Sequence, residues 1–182
     1  MRQRRLAPGP LLDDDGVLAE AGWSTSEVRT YDRQRVAAPR FRIKEWDYYC
    51  VLSDGEDGPF GIALTVADNG YVGLLGVSVL DLAGRSETTE NALVPFPLGR
   101  MRLPGTADGG DVVVHHGGLR IEYHHEGRSR RLVVDHPRFG GGRGLSGELV
   151  LTQPSDDRMV VATPFPRAPK AFYYNQTINC LP

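Results

Sequence analysis

The sequence predicts an all-β protein, an antiparallel barrel or sandwich with few or no helices. Three observations carry this expectation. Glycine and proline, 22 and 13 of 182 residues, punctuate short runs rich in β-branched and aromatic residues, the spacing that strands and turns require. Several runs flank two-residue turn dipeptides with alternating apolar residues. No stretch sustains a 3.6-residue apolar period, so no helices are on hand to cover a parallel sheet. The one helix-like cue is Ser24-Thr25-Ser26-Glu27, a capping-box pattern with no amphipathic run behind it.

Residues 1–35 read as an irregular N-terminal segment, 36–170 as the barrel, and 171–182 as a strand leaving it. The first strand lies in FRIKEWDYYCVL, Phe41–Leu52. Simple alternation sets Phe41, Ile43, Glu45, Asp47 and Tyr49 on one face, and Trp46, Tyr48, Cys50 and Leu52 on the other. The apolar phase changes once, between Ile43 and Trp46. A bulge or sharp twist is therefore expected at Lys44–Glu45, with Trp46 and Tyr48 packed inward. Glu45 then sits at the kink and is the one carboxylate of the pair able to serve a pocket, since Asp47 faces away.

Next comes a hairpin over Phe60–Asp81. Asn69-Gly70 is the dipeptide of a type I′ turn, pairing Asp68 with Tyr71, Val66 with Gly73, Leu64 with Leu75 and Ile62 with Val77. One face is bulky and apolar; the other carries Gly61, Ala63, Thr65, Ala67, Gly76 and Ser78. Residues 82–110 read as long connections around one short strand. A meander follows over Asp111–Asp135, with turns at Gly117-Gly118 and Glu126-Gly127. Its registers pair Val114 with Ile121, Val112 with Tyr123, Ile121 with Leu132 and Leu119 with Val134. They set Val112, Val114, Leu119, Ile121, Tyr123, Leu132 and Val134 on one face and Glu122 opposite Arg131 on the other. The segments GELVLTQ and RMVVATPF form a third pair joined by Pro154–Asp157, and AFYYNQTINCLP closes the chain.

Composition narrows the function classes. A formal charge of −2, with no basic cluster interleaved with aromatics, points away from nucleic acid. No run of about 18 apolar residues is present, so no membrane span is expected. The start MRQRRLAPGPLLDDD is too short and proline-broken in its apolar part for a secretory leader. A cytoplasmic protein with Cys50 and Cys180 as free thiols is the expectation. On the same ground the acceptor triplet Asn175-Gln176-Thr177 is read as inert.

Several motifs resemble chemistry without meeting its geometry. His115-His116 and His124-His125 fall by opposite turns of one strand, roughly 20–30 Å apart, and neighbours within each pair point to opposite faces; no metal is assigned. Gly142-x-Gly144-x-x-Gly147 spaces like a dinucleotide fingerprint, but a strand rather than a helix follows it. A glycine-rich loop at a barrel mouth is expected there, and no cofactor. Asp135-His136 and Ser146 lack the elbow and the convergence of a nucleophilic triad.

Two aromatic–polar clusters remain, Glu45-Trp46-Asp47-Tyr48-Tyr49 and Phe172-Tyr173-Tyr174-Asn175. Each joins large apolar area to hydroxyl, amide or carboxyl groups, the composition of a largely apolar pocket with a few orienting polar groups. The same composition also suits strand residues that anchor a core. Together with ALTVADNGYVG and PFPLGRMRLP, these clusters resemble the bacterial domain of unknown function 2804 family. That family looks lipocalin-like and is distantly similar to two-barrel proteins that include carotenoid hydratases of the hydroxyneurosporene synthase type. The resemblance implies a lipocalin-like antiparallel barrel, complete or open, and an apolar or amphipathic small-molecule ligand, lipid- or isoprenoid-like. It also implies a second barrel as partner, this chain being the N-terminal half. Trp46, Tyr48, Tyr173, Tyr174 and Asn175 are the candidate ligand-binding residues. Should the protein be an enzyme, a hydratase-type lyase or isomerase is expected, with Glu45 and Asp47 as the candidate acids. A structural or interaction module without a pocket is the third class.

Overall fold

The computed structural model describes residues 4–55 and 58–181; the ends of the terminal segments named above, residues 1–3 and 182, lie outside it. Strands dominate. The N-terminal segment contributes β1 (Gly9–Pro10), β2 (Gly22–Ser24) and β3 (Arg29–Thr30), followed by two single 3-10 turns, Arg33–Arg35 and Arg40–Arg42. Then come β4 (Glu45–Gly55), β5 (Gly58–Asp68), β6 (Val72–Asp81) and β7 (Ser86–Pro95), which form one antiparallel meander. A second meander consists of β8 (Val112–His116), β9 (Leu119–Glu126), β10 (Ser129–His136) and β11 (Leu145–Thr152). The chain ends in β12 (Arg158–Phe165) and β13 (Ala168–Ile178).

The two four-stranded sheets share one core. Val51, Ile62, Leu64, Val66, Leu75 and Val77 from the first meet Val112, Leu119, Ile121, Tyr123, Leu132, Val134 and Leu151 from the second. Each fully buried aliphatic side chain contributes about 1.5–3 kcal/mol of transfer free energy. No ladder among the described residues joins β7 to β8 or β4 to β11, so the barrel expected from the sequence is not closed. At one end of the second sheet, Leu181 bridges Thr152 of β11 through two backbone hydrogen bonds of 2.7 and 2.8 Å. The third pairing expectation is corrected as well. β11 and β12 belong to different sheets, because β12 pairs with β13 on one side and β2 on the other. Under that three-stranded sheet lies a smaller core of Leu6, Leu11, Leu12 and Ala162, with Tyr31, Phe172 and Tyr174 packed against it.

Two of the three expected hairpin registers differ by two residues. Asp68 pairs with Gly73 and Leu64 with Val77, because β5 and β6 are joined by the three residues Asn69–Tyr71, and the ladder between them closes only at Gly73 rather than at a two-residue turn. Asp68 explains this. Its buried carboxylate accepts from the backbone N–H of Gly70 (3.0 Å) and of Gly99 (2.6 Å), drawing the turn and a distant loop together. Likewise Ser129 pairs with Glu126, so Gly127-Arg128 makes the turn, and Ile121 faces Val134 rather than Leu132. Glu122 and Arg131 are therefore not partners: Arg131 reaches Glu126 and Glu148, and Glu122 binds Arg120 and His124. A slip of two preserves every face assignment, since side chains alternate with period two. The first turn, Gly117-Gly118, has the expected register, with Val114 against Ile121 and Val112 against Tyr123. The one short strand expected within 82–110 is the ten-residue β7. Among the described residues no helix is long and apolar enough to cross a membrane.

Candidate functional site

The site is built on the start of β4. Its ladder to β5 runs without a break from Glu45–Asp68 to Gly55–Gly58, so the expected bulge at Lys44–Glu45 is absent. Trp46 and Tyr48 are not packed inward; they are 41% and 57% exposed on the outer face. The phase change lies upstream instead. Phe41 belongs to the 3-10 turn Arg40–Arg42, not to the strand, and is exposed, whereas Ile43 is buried. From Ile43 onward the alternation is regular, and Glu45, Asp47, Tyr49 and Val51 all point to the partly or fully buried side. Both carboxylates therefore share the interior face, where the sequence had left room for one.

The two acids differ in their surroundings. Glu45 accepts a 2.5 Å hydrogen bond from the Tyr31 hydroxyl and forms an ion pair with Arg33. Tyr31 is held far above the ordinary phenol range by burial and by that bond to Glu45. Asp47 has no hydrogen-bond or ion-pair partner among the described residues. Burial, reinforced by the charge of Glu45, pushes its carboxyl up to about 6. This is the combination of desolvation and a like charge that marks groups placed for something other than stability. The expectation that Glu45 alone could serve a pocket is thus reversed: Glu45 is occupied and Asp47 is free.

Deeper between the sheets the unpartnered groups continue. Tyr49 packs its ring against Tyr123, with centroids 4.6 Å apart. Burial, with Asp47 nearby, pushes Tyr49 up to about 12 and Tyr123 well above its usual value. Among the described residues the Tyr123 hydroxyl is buried without a partner, as is Nη1 of the buried Arg130. Arg130 Nη2 donates to the Ala107 carbonyl at 2.9 Å.

A cavity of about 530 Å³, a size typical of small-molecule sites, opens beside Asp47 and Ala107. Glu45, Trp46 and Asp47 line it together with Tyr173, Tyr174 and Asn175, so the two clusters singled out in the sequence converge. The Trp46 ring stacks on Tyr173 at 5.7 Å with an interplanar angle of 28°. Tyr48, expected among the ligand-binding residues, is not part of this lining. Tyr31, Ile43 and the segment Leu103–Ala107 complete the wall and were not expected. The loop after β7 has no strand periodicity to read, and only Tyr31 carried a signal, as an aromatic residue beside charged neighbours. A second, more open cleft of about 590 Å³ lies between the β7 exit loop and β8, lined by Arg100, Arg102, Asp111 and His115 among others.

The remaining motifs have local roles. His124 is held between Asp111 and Glu122 at 2.9 Å to each, and hydrogen bonds to Glu122 and Asp111 raise its pKa. His136 contacts Glu90 at 2.8 Å. The glycine-rich loop leads into β11, as expected, and its Gly140 N–H donates to Glu90.

The sequence profile described as Domain of unknown function (DUF2804) matches residues 2–182. The chain belongs to this family. Comparison of this DUF2804 protein with curated proteins and with solved structures finds no match. The family description names no activity, so the chemistry of the DUF2804 site rests on its own geometry.

Proposed function

We propose that the cavity beside β4 binds an apolar or amphipathic small molecule, lipid- or isoprenoid-like, in an opened version of a lipocalin-like barrel. One observation carries the reading: two aromatic–polar segments more than a hundred residues apart wall a single cavity, with the Trp46–Tyr173 stack at its side. Stacked aromatic area supplies apolar burial at low entropic cost, and Asn175 and Asp47 supply the few polar contacts that orient a ligand. Lipid-like fluorescent probes are expected to quench or shift Trp46 emission in a Trp23→Phe background. Tyr173→Ala should weaken this about tenfold or more. Native mass spectra showing neither a co-purified ligand nor probe uptake would sink the proposal.

A second reading, a hydratase or isomerase, is favoured by Asp47. An unpartnered carboxyl titrating near 6 in an aromatic cavity is half-protonated at pH 6, keeps about a tenth of its protons at pH 7, and can donate one. In hydration, Asp47 would pass its proton to one alkene carbon, water would add to the cation at the other, and the oxonium would return a proton to the carboxylate. Asp47→Asn should then abolish turnover of an alkene substrate while leaving probe binding intact. Glu45, tied to Arg33 and Tyr31, would position rather than react.

A further inference from the structure

The charges around the cavity are distributed unevenly. Three basic side chains line it, Arg42, Lys44 and Lys170, and all three are exposed. They come from the two segments that build the site: Arg42 and Lys44 precede β4, and Lys170 lies in β13. None of the three forms an ion pair among the described residues. The carboxylates in the lining are Glu45 and Asp47, and both face inward. Glu45 is neutralised by Arg33. The mouth is thus cationic in a chain whose formal charge is −2, and the interior is aromatic with Asp47 as its one carboxylate not paired among the described residues.

From this arrangement we infer that the ligand is an amphipathic anion. Its carboxylate or phosphate head is held at the mouth by Arg42, Lys44 and Lys170, and its apolar tail runs inward past Trp46 and Tyr173 toward Asp47. The reverse orientation would bring the head against Asp47 and Glu45 in a site of low dielectric, where like charge is costly. An apolar tail against Asp47 would in turn raise its carboxyl further, because burial penalises the charged form. This inference rests on the cavity being a ligand site, as proposed above.

Titration calorimetry with four single-chain probes below their micelle concentrations tests it: laurate, dodecyl phosphate, dodecanol and dodecyltrimethylammonium. Each exposed ion pair is individually weak, so three together should favour laurate over dodecanol by about tenfold. Laurate affinity should fall as salt rises from about 20 to about 500 mM, while that of dodecanol holds, because screening acts on exposed charges. Combining Arg42→Gln, Lys44→Gln and Lys170→Gln should erase the preference and leave dodecanol binding as it was. Tighter binding of dodecyl phosphate than of laurate assigns a phosphate head; the opposite order assigns a carboxylate. Equal, salt-independent binding of dodecanol and laurate overturns the anion inference and leaves the cavity reading standing. So does strongest binding of the ammonium probe, or an unchanged laurate affinity in the triple variant. Failure of all four probes to bind overturns both.

Discussion

Two polar regions of this molecule are built to opposite rules. Along the outer side of the second meander, His124 sits between Asp111 and Glu122, and Arg120 completes the group at 2.5 Å from Glu122. Every member has a partner, and the partners hold Asp111 and Glu122 below the usual carboxylate range, through the hydrogen bond to His124 first in each case. Around the cavity the reverse holds. Among the described residues Asp47, in the cavity wall, has no hydrogen-bond or ion-pair partner, and in the core near it the Tyr123 hydroxyl and Arg130 Nη1 are buried without one. Buried polar groups are ordinarily hydrogen-bonded, and a cluster of exceptions calls for an explanation outside stability. The contrast teaches that the fold can satisfy its charges on strands, and that Asp47, in the wall of a cavity, is left without that compensation.

The largest expected effect tests the supported half of the site. Glu45→Ala strands the Arg33 guanidinium and the Tyr31 hydroxyl in a mostly buried setting, and should cost about 2–4 kcal/mol in denaturant unfolding. A cost below about 1 kcal/mol would place Glu45 among the weak surface pairs instead.

Asp47→Asn should act in the opposite direction. The folded pKa of about 6 lies above the ordinary 3.8, so the folded state keeps the proton longer than the unfolded one. Asp47's contribution to wild-type stability is therefore greatest below about pH 4 and falls as pH rises through about 6, by up to about 3 kcal/mol. The variant should lose that slope and be the more stable protein at pH 7. Unfolding curves at pH 4, 5, 6 and 7 for both proteins read this directly, and parallel pH profiles would contradict it.

Tyr123→Phe removes the orphaned hydroxyl and should leave stability unchanged or raise it by up to about 1 kcal/mol. Loss of more than that would mean the hydroxyl has a partner in solution. The smallest effect is expected at the satisfied network. His124 has a raised pKa, so its contribution is fully present below about 6.5 and fades as pH rises through its folded value. His124→Gln should flatten that slight step in melting temperature, and a rise in stability with pH across the same range would reverse the assignment.

How much of this was legible in the sequence follows from what each feature depends on. Faces were readable because alternation is local: Leu64, Val66, Leu75 and Val77 face the core whichever even register forms. Register was not, because it is decided by Asp68 reaching Gly99, thirty-one residues away, and by which pair of residues around Gly127 closes the turn. The aromatic–polar composition of Glu45–Tyr49 and Phe172–Asn175 pointed to the site, while their convergence needed the placement of β13 beside β4. The misreading of Trp46 had a local cause. Plain alternation already sets Trp46 outward, as observed; reading two carboxylates on an apolar face as a change of phase introduced a bulge that the ladder does not contain, and that bulge turned the indole inward. The barrel closure suggested by the meander pattern could not be judged from hairpins alone, since it depends on edges that no hairpin specifies.

The most direct test of the contrast is the carboxyl titration of Asp47, followed by carbon-detected NMR with and without laurate. A midpoint near 6 in the free protein, moving higher as an apolar tail displaces water from the cavity, is the expected result. A midpoint near 4 that laurate does not move would show a solvated, ordinary aspartate, and would contradict both the unsatisfied site and its ligand.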